Sequence, residues 1–141
     1  MNIRHVKQTH PSGCGPACIA MVSPRILSRN HKTALLQATQ RLFKGKQPPR
    51  GLYTHYHHIK SALDSIGVTH SSRVRPATSW TKIKDVAVVK CGVRGNYWHW
   101  VVYDGVREWL YDPLKPQRTR VDGRTRRPAS YLALVRSSIE D

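Results

Sequence analysis

Pro11-Ser12-Gly13-Cys14-Gly15-Pro16-Ala17-Cys18-Ile19-Ala20-Met21-Val22-Ser23 is the stretch from which the organisation of this chain can be read. Pro16 stands close to the start of a run of Ala, Cys, Ile and Met. Proline's missing N–H costs a helix nothing there, because the first amides have no partner within the helix. The segment predicts a helix with Cys14 at its N-terminus and Pro24 ending or interrupting it. Residues 31–43, HKTALLQATQRLF, resume helical spacing with Leu35, Leu36, Thr39, Leu42 and Phe43 on one side, and 44–51, KGKQPPRG, form a loop. A third helix is expected after Thr54 as its cap, with Tyr56, Ile59, Leu63 and Ile66 on the core face and Gly67 stopping it.

From Trp80 the character changes. Residues 85–92 (DVAVVKCG), 97–105 (YWHWVVYDG), 107–114 (REWLYDPL) and 130–137 (SYLALVRS) are short, β-branched or aromatic segments divided by turn residues. Helices first and antiparallel strands afterward predict an α+β fold, with N-terminal helices packed on a C-terminal sheet. At 141 residues, positions 1–141 are expected to form one domain. No apolar run approaches the roughly 18 residues a membrane span needs, and the N-terminus lacks the apolar segment of a secretory signal, so a cytoplasmic location is expected. Three cysteines, without paired spacing, imply reduced thiols.

Charge is the outstanding bulk property: 24 Lys and Arg against 8 Asp and Glu give a formal +16. Such a field attracts nucleic acid, anionic membrane surface or acidic protein without choosing among them. Six of the cations lie in 115–128, KPQRTRVDGRTRRP, either a solvated hairpin extension turning at Asp122-Gly123 or a docking surface. This loop is expected to act apart from the region of Cys14. His55, His57 and His58 lie largely off the core face of the third helix. A metal there would need His55 and His58, one turn apart, plus a carboxylate or cysteine. The simpler reading is an exposed histidine cluster, and no metal or organic cofactor is expected.

A thiol is a useful nucleophile only as thiolate, so it needs a favourable local field and a base. Cys14 has unpaired helix amides and the positive end of the dipole beside it, and the glycines of SGCGP let a substrate approach the backbone. Taken alone, these features equally describe a buried structural thiol, the role assigned to Cys18. His99 leaves its strand in a defined direction if Tyr97, His99, Val101 and Tyr103 share a face. Asp112, thirteen residues on, comes beside His99 when the two segments are antiparallel neighbours, and can fix the imidazole tautomer; otherwise it is an Asp-Pro turn starter. Gln8, six residues before Cys14, is either an exposed glutamine or a side-chain donor that, with the Cys14 backbone N–H, stabilises an oxyanion.

Gln8, then Cys14-Gly15-Pro16-Ala17-Cys18-Ile19-Ala20-Met21, and far downstream His99-Trp100-Val101-Val102 and Asp112-Pro113, resemble the bacteriocin-processing leader peptidases of papain-like fold. These occur at the N-terminus of peptide-exporting transporters and as stand-alone proteins. The resemblance spans nearly the whole chain, since Leu63-Asp64-Ser65-Ile66-Gly67 and the strand at 86–89 follow in the expected order. It implies a papain-like cysteine peptidase fold, with Cys14 as nucleophile, His99 as base, Asp112 as orienter and Gln8 as oxyanion donor, acting on a peptide or protein substrate. The same machinery serves a deamidase or an acyltransferase, because the acceptor is decided by the groove. A different class of function is nucleic-acid binding through the arginines of 115–127 with Trp80, Trp98 and Trp100 as stacking contacts. A third is an effector that engages an acidic protein.

Overall fold

The computed structural model describes residues 2–8, 14–23, 37–38 and 54–134. Of the helix expected over 31–43, only Gln37 and Ala38 fall within this range, and both are helical. The rest of that helix, the loop at 44–51, Pro24 and the end of the last strand candidate lie outside the described residues. Helix α1 spans Cys14–Val22 and α2 spans Tyr56–Ser65. Strands β1 (Arg75–Pro76), β2 (Val86–Arg94), β3 (Tyr97–Asp104), β4 (Trp109–Tyr111) and β5 (Pro128–Ala133) pair throughout antiparallel in the order β1-β5-β2-β3-β4. The expected α+β class is what the chain adopts.

All nine residues of α1 are buried. A helix that is apolar around its whole circumference has no face to give to water, and this one is covered on several sides. It packs on β3 and against α2. The N-terminal segment is tied to it where the Arg4 N–H donates to the Met21 carbonyl at 3.1 Å. Helix α2 turns Ile59, Ala62, Leu63 and the following Ile66 inward, with Tyr56 edge-on to Trp100 at 4.8 Å. It closes as the sequence predicts. The Gly67 and Val68 amides return to the carbonyls of Asp64 and Leu63, with Gly67 in the left-handed region at φ 75°.

The opening of α2 differs from expectation. Its N-cap is His55, whose backbone N–H donates to His58 Nδ1 at 3.0 Å. Thr54 is buried one residue earlier, and its carbonyl accepts the indole N–H groups of both Trp98 and Trp100, at 3.0 and 2.9 Å. A buried carbonyl needs donors, and two tryptophans on one strand supply them here.

The sheet is covered on both faces. Val86, Val88, Trp100, Val102 and Leu132 join α1 and α2 in one core. Ala87, Val89, Cys91, Val101, Tyr103 and Leu110 pack on the other side against Trp80 and Ile83, from a 3-10 turn at Trp80–Lys82. Burial on both faces explains why 86–89 and 100–103 read as continuous apolar runs rather than an alternation. Four strand candidates become five strands because Arg75–Pro76, too short for a pattern, is recruited by β5.

Gly15, in the first turn of α1, meets Thr54 directly: a Cβ on Gly15 would come within 2.7 Å of Thr54 Cβ and 2.9 Å of its Cγ2. Overpacking of this kind costs about 1–3 kcal/mol, more than the roughly 1 kcal/mol gained by replacing a helical glycine. Gly15→Ala is therefore expected to lower the thermal midpoint, with a net loss of about 1–2 kcal/mol. An unchanged or raised midpoint in calorimetry would show that Thr54 yields at no cost.

Candidate active site

Cys14 is the first residue of α1, His99 the third of β3, and Asp112 follows the last residue of β4. The fold brings these three together. The Cys14 thiol lies beside the His99 ring, near enough to favour its charged form. His99 Nε2 lies 2.7 Å from Asp112 Oδ1, which leaves Nδ1 as the ring nitrogen for the thiol. Antiparallel pairing of Val102 with Tyr111 sets Asp112 opposite Val101, two residues from His99 on the same side of the ladder. Beside His99 the pairing of β2 with β3 is regular as far as Cys91 and then shifts register between Cys91 and Arg94, a bulge that sharpens the local twist.

Asp112 has both roles that its sequence setting offered. Oδ1 accepts His99 Nε2 and also the Leu114 N–H at 2.9 Å, while its carbonyl accepts the Lys115 N–H at 3.0 Å. The Asp-Pro turn thus holds the carboxylate that orients the histidine. Gln8 is buried, and its backbone N–H donates to the Pro113 carbonyl at 2.8 Å. That bond, with His5 Nε2 at 2.7 Å from the Lys115 carbonyl, lays the N-terminal segment along the turn that carries Asp112.

Opposed effects fix the charge states. Burial favours neutral His99, but the hydrogen bonds and charges of Asp112 and Cys14 outweigh it and raise His99 from its usual 6.5 to about 9. Burial likewise raises Asp112, yet the bonds from His99 and the Leu114 N–H, with the charges of His99 and Arg126, bring it below its ordinary value. An ionised Asp112 can only accept, so His99 Nε2 carries the proton between them. Cys18 behaves as a structural thiol: burial pushes it far up, and the charges of Cys14, Asp112 and Cys91 push the same way. Cys91 rises to about 12, chiefly by burial and secondarily through Asp112.

Two further residues organise the site, neither of which the sequence marked as part of it. Thr54 holds the two indoles that flank His99 and abuts the glycine that follows Cys14. The contact of a main-chain carbonyl leaves no mark in a sequence. Arg126 stands with Nη1 3.9 Å from Asp112 Oδ2, and within a run of arginines nothing distinguishes it.

The basic loop is accordingly not separate from the site. Thr119 pairs with Leu110 by two backbone bonds, Arg118 and Arg120 stack on the Trp109 ring at 4.1 and 3.6 Å, and Arg120 donates to the carbonyls of Arg107 and Glu108. Asp122 turns the chain, its side chain accepting the Arg124 N–H at 2.8 Å. Trp80 and Trp100 are buried, so neither offers a ring for a base to stack on; Trp98 is half-buried beneath the Lys90 ammonium at 4.4 Å. His55, His57 and His58 form a ring cluster, but His58 Nδ1 is occupied by the helix cap, and no metal-holding group of three or more His, Cys, Asp or Glu occurs among the described residues. None of the described helices is long and apolar enough to cross a membrane.

A cavity of about 570 Å³ adjoins Asp112, lined by Trp80, Val101, Leu110, Arg124 and Arg126 among others. A second, of about 490 Å³, is lined by Gly92, Val93, Arg94, Tyr97, Arg126 and Arg127. Comparison with protein-family models gives no match, and comparison with curated proteins gives none either.

The three thiols differ enough for a chemical test. Cys14 retains 8% exposure against 0% for Cys18 and 2% for Cys91, and burial pushes the Cys18 and Cys91 thiols up. Brief treatment with iodoacetamide at neutral pH is expected to modify Cys14 first, as read by peptide mass mapping. Equal modification of Cys18 in the folded protein would contradict this packing.

Proposed function

We propose that the chain is a cysteine peptidase of papain-like architecture that hydrolyses peptide bonds in a peptide or protein substrate. The observation that carries the reading is the convergence of the Cys14 thiol, His99 and Asp112 in one buried site, with His99 Nε2 bonded to Asp112 Oδ1 and Cys14 acting with Asp112 to hold the imidazole charged. The opening of a helix at Cys14 supports it, because the free amides there favour a thiolate and the anion that follows attack.

The Cys14 sulfur attacks the scissile carbonyl carbon, forming a C–S bond while the carbonyl electron pair moves on to oxygen. The Cys14 backbone N–H and the Gln8 side-chain N–H are the donors assigned to that oxyanion. The His99 imidazolium gives its proton to the leaving amine, the C–N bond breaks, and a thioester remains. His99 then takes a proton from water, whose oxygen displaces the sulfur and releases the acid. A glutamine side-chain amide treated in the same way would lose ammonia, so deamidation shares every step but the substrate. The arginines lining the cavity beside Asp112, and those of the second cavity that shares Arg126 with it, favour a substrate that carries acidic residues.

Proteome-wide mapping of new peptide termini tests the reading. Termini are expected with the wild-type chain and none with Cys14→Ala, whose fold is retained because little side-chain volume is removed. Termini persisting in that variant would end the assignment of the nucleophile. Asp112→Asn should keep the fold and lose about 10²–10⁴-fold in rate, since the imidazole is no longer held in its tautomer and charge.

The pH dependence follows from His99. Its imidazolium is stabilised in the folded site, so this contribution is full below its usual 6.5 and is lost as pH rises through about 9. Asp112, being lowered, stays ionised across the neutral range and its contribution disappears only in acid. Activity should therefore hold through neutrality and fall above about pH 9. An alkaline limb centred near 6.5 would show that Asp112 and Cys14 do not support the imidazolium.

A further inference from the structure

Arg126 belongs to the basic loop ahead of β5, yet its side chain reaches back along the protein surface to Asp112. Its carbonyl accepts the Trp80 indole N–H at 3.0 Å, and the next carbonyl, of Arg127, accepts the Gly92 N–H at 3.0 Å. Its aliphatic stem lies over Gly92, where an added Cβ would come within 2.6 Å of Arg126 Cδ. Gly92 has φ 61°, the left-handed region that favours glycine, so the bulge that bends β2 beside His99 also opens the slot for this stem. Emerging from the slot, Nη1 faces Asp112 Oδ2 at 3.9 Å.

The two oxygens of Asp112 thereby have different partners: Oδ1 has His99 Nε2 and the Leu114 N–H, and Oδ2 has the guanidinium. With bonds at Oδ1 alone, the carboxylate plane can twist about the Cβ–Cγ bond and change the angle at which Oδ1 meets the imidazole. A cation at Oδ2 fixes a second point and hence the plane. We propose that Arg126 is a positioning residue for this site, holding the Asp112 carboxylate in the orientation that keeps Oδ1 on His99. Its effect on turnover rests on the peptidase reading, whereas its effect on Asp112 does not. Among the described residues, the other titratable and charged groups around Asp112 are His99 from β3, Cys91 from β2, Cys14 and Cys18 from α1, and Lys115, Arg120, Asp122 and Arg124 from the loop that lines the same cavity. Of the cations among the described residues, Arg126 is the one paired with Oδ2. Its side chain is 43% exposed, so solvent screens the pair and a moderate effect is expected.

The experiment is an NMR titration of the Asp112 carboxyl carbon and the His99 ring nitrogens in wild type, Arg126→Gln, Arg126→Lys and Gly92→Ala. In Arg126→Gln, Asp112 should titrate about 0.5–1 pH unit higher, and kcat/KM should fall about threefold to tenfold, most at the acid limb. Arg126→Lys keeps the charge and should return the Asp112 midpoint most of the way, which remains readable even where the glutamine variant is poorly stable. Gly92→Ala displaces an intact arginine from its slot and should reproduce the glutamine variant. An Asp112 midpoint unmoved in both Arg126→Gln and Gly92→Ala would overturn the proposal, as would a fall in thermal midpoint with no change in either titration. The titrations need no substrate. If they shift as expected in a protein that generates no Cys14-dependent termini, the positioning role stands and the peptidase reading alone fails.

Discussion

The buried Thr54 carbonyl is the constraint on which the site depends. It accepts the indole N–H groups of Trp98 and Trp100, the two neighbours of His99, while the Thr54 side chain abuts Gly15, the neighbour of Cys14. One residue thus fixes the strand bearing the imidazole against the helix bearing the thiol. A geometry needed to within a fraction of an ångström is better held by buried, fully bonded groups than by the reacting side chains themselves. It also explains the glycine after Cys14: any side chain there would part the helix from Thr54.

The second constraint is electrostatic. His99 and Asp112 are each buried, which alone would discharge both, and each keeps its charge because the other is present. Such a set is coupled: removing one charge removes the reason for the next. The backbone supports Asp112 through Leu114 and Lys115, the chain after Asp112 is held by Gln8 and His5, and Arg126 approaches from the remaining side. Part of the large positive charge is therefore directed to the site. Elsewhere in the loop, Arg118 and Arg120 both lie over the Trp109 ring, where guanidinium groups cover an aromatic surface that would otherwise meet water.

The course of the chain was largely legible in its residues. Proline near the start of an apolar run marked α1, the three-or-four spacing of Ile59, Leu63 and Ile66 with Gly67 beyond marked α2, and β-branched runs between turn residues marked β2, β3 and β4. These signals are local, since they arise from backbone geometry and from which face of an element meets the core. Cys14, His99 and Asp112 were nameable as candidates for a related reason: each stands at a helix start, a strand face or a strand end, although the charge states of His99 and Asp112 are set by groups distant in sequence. The thirteen-residue separation of His99 and Asp112 could be tested against strand pairing before any coordinates were known.

What only the tertiary structure decided is where main-chain groups and long side chains find their partners. Thr54 reads as a helix cap, because its type favours one, yet its carbonyl serves two indoles more than forty residues away and the cap falls to His55. The basic loop reads as a solvated hairpin extension or a docking surface, because charge is normally turned to water, yet its cations stack on Trp109 and reach Asp112. The physical reason is common to both. Local pattern specifies an element and its buried face, whereas the partner of a buried carbonyl or of a flexible cationic side chain is chosen by desolvation among groups distant in sequence, and that choice exists only once the chain has folded.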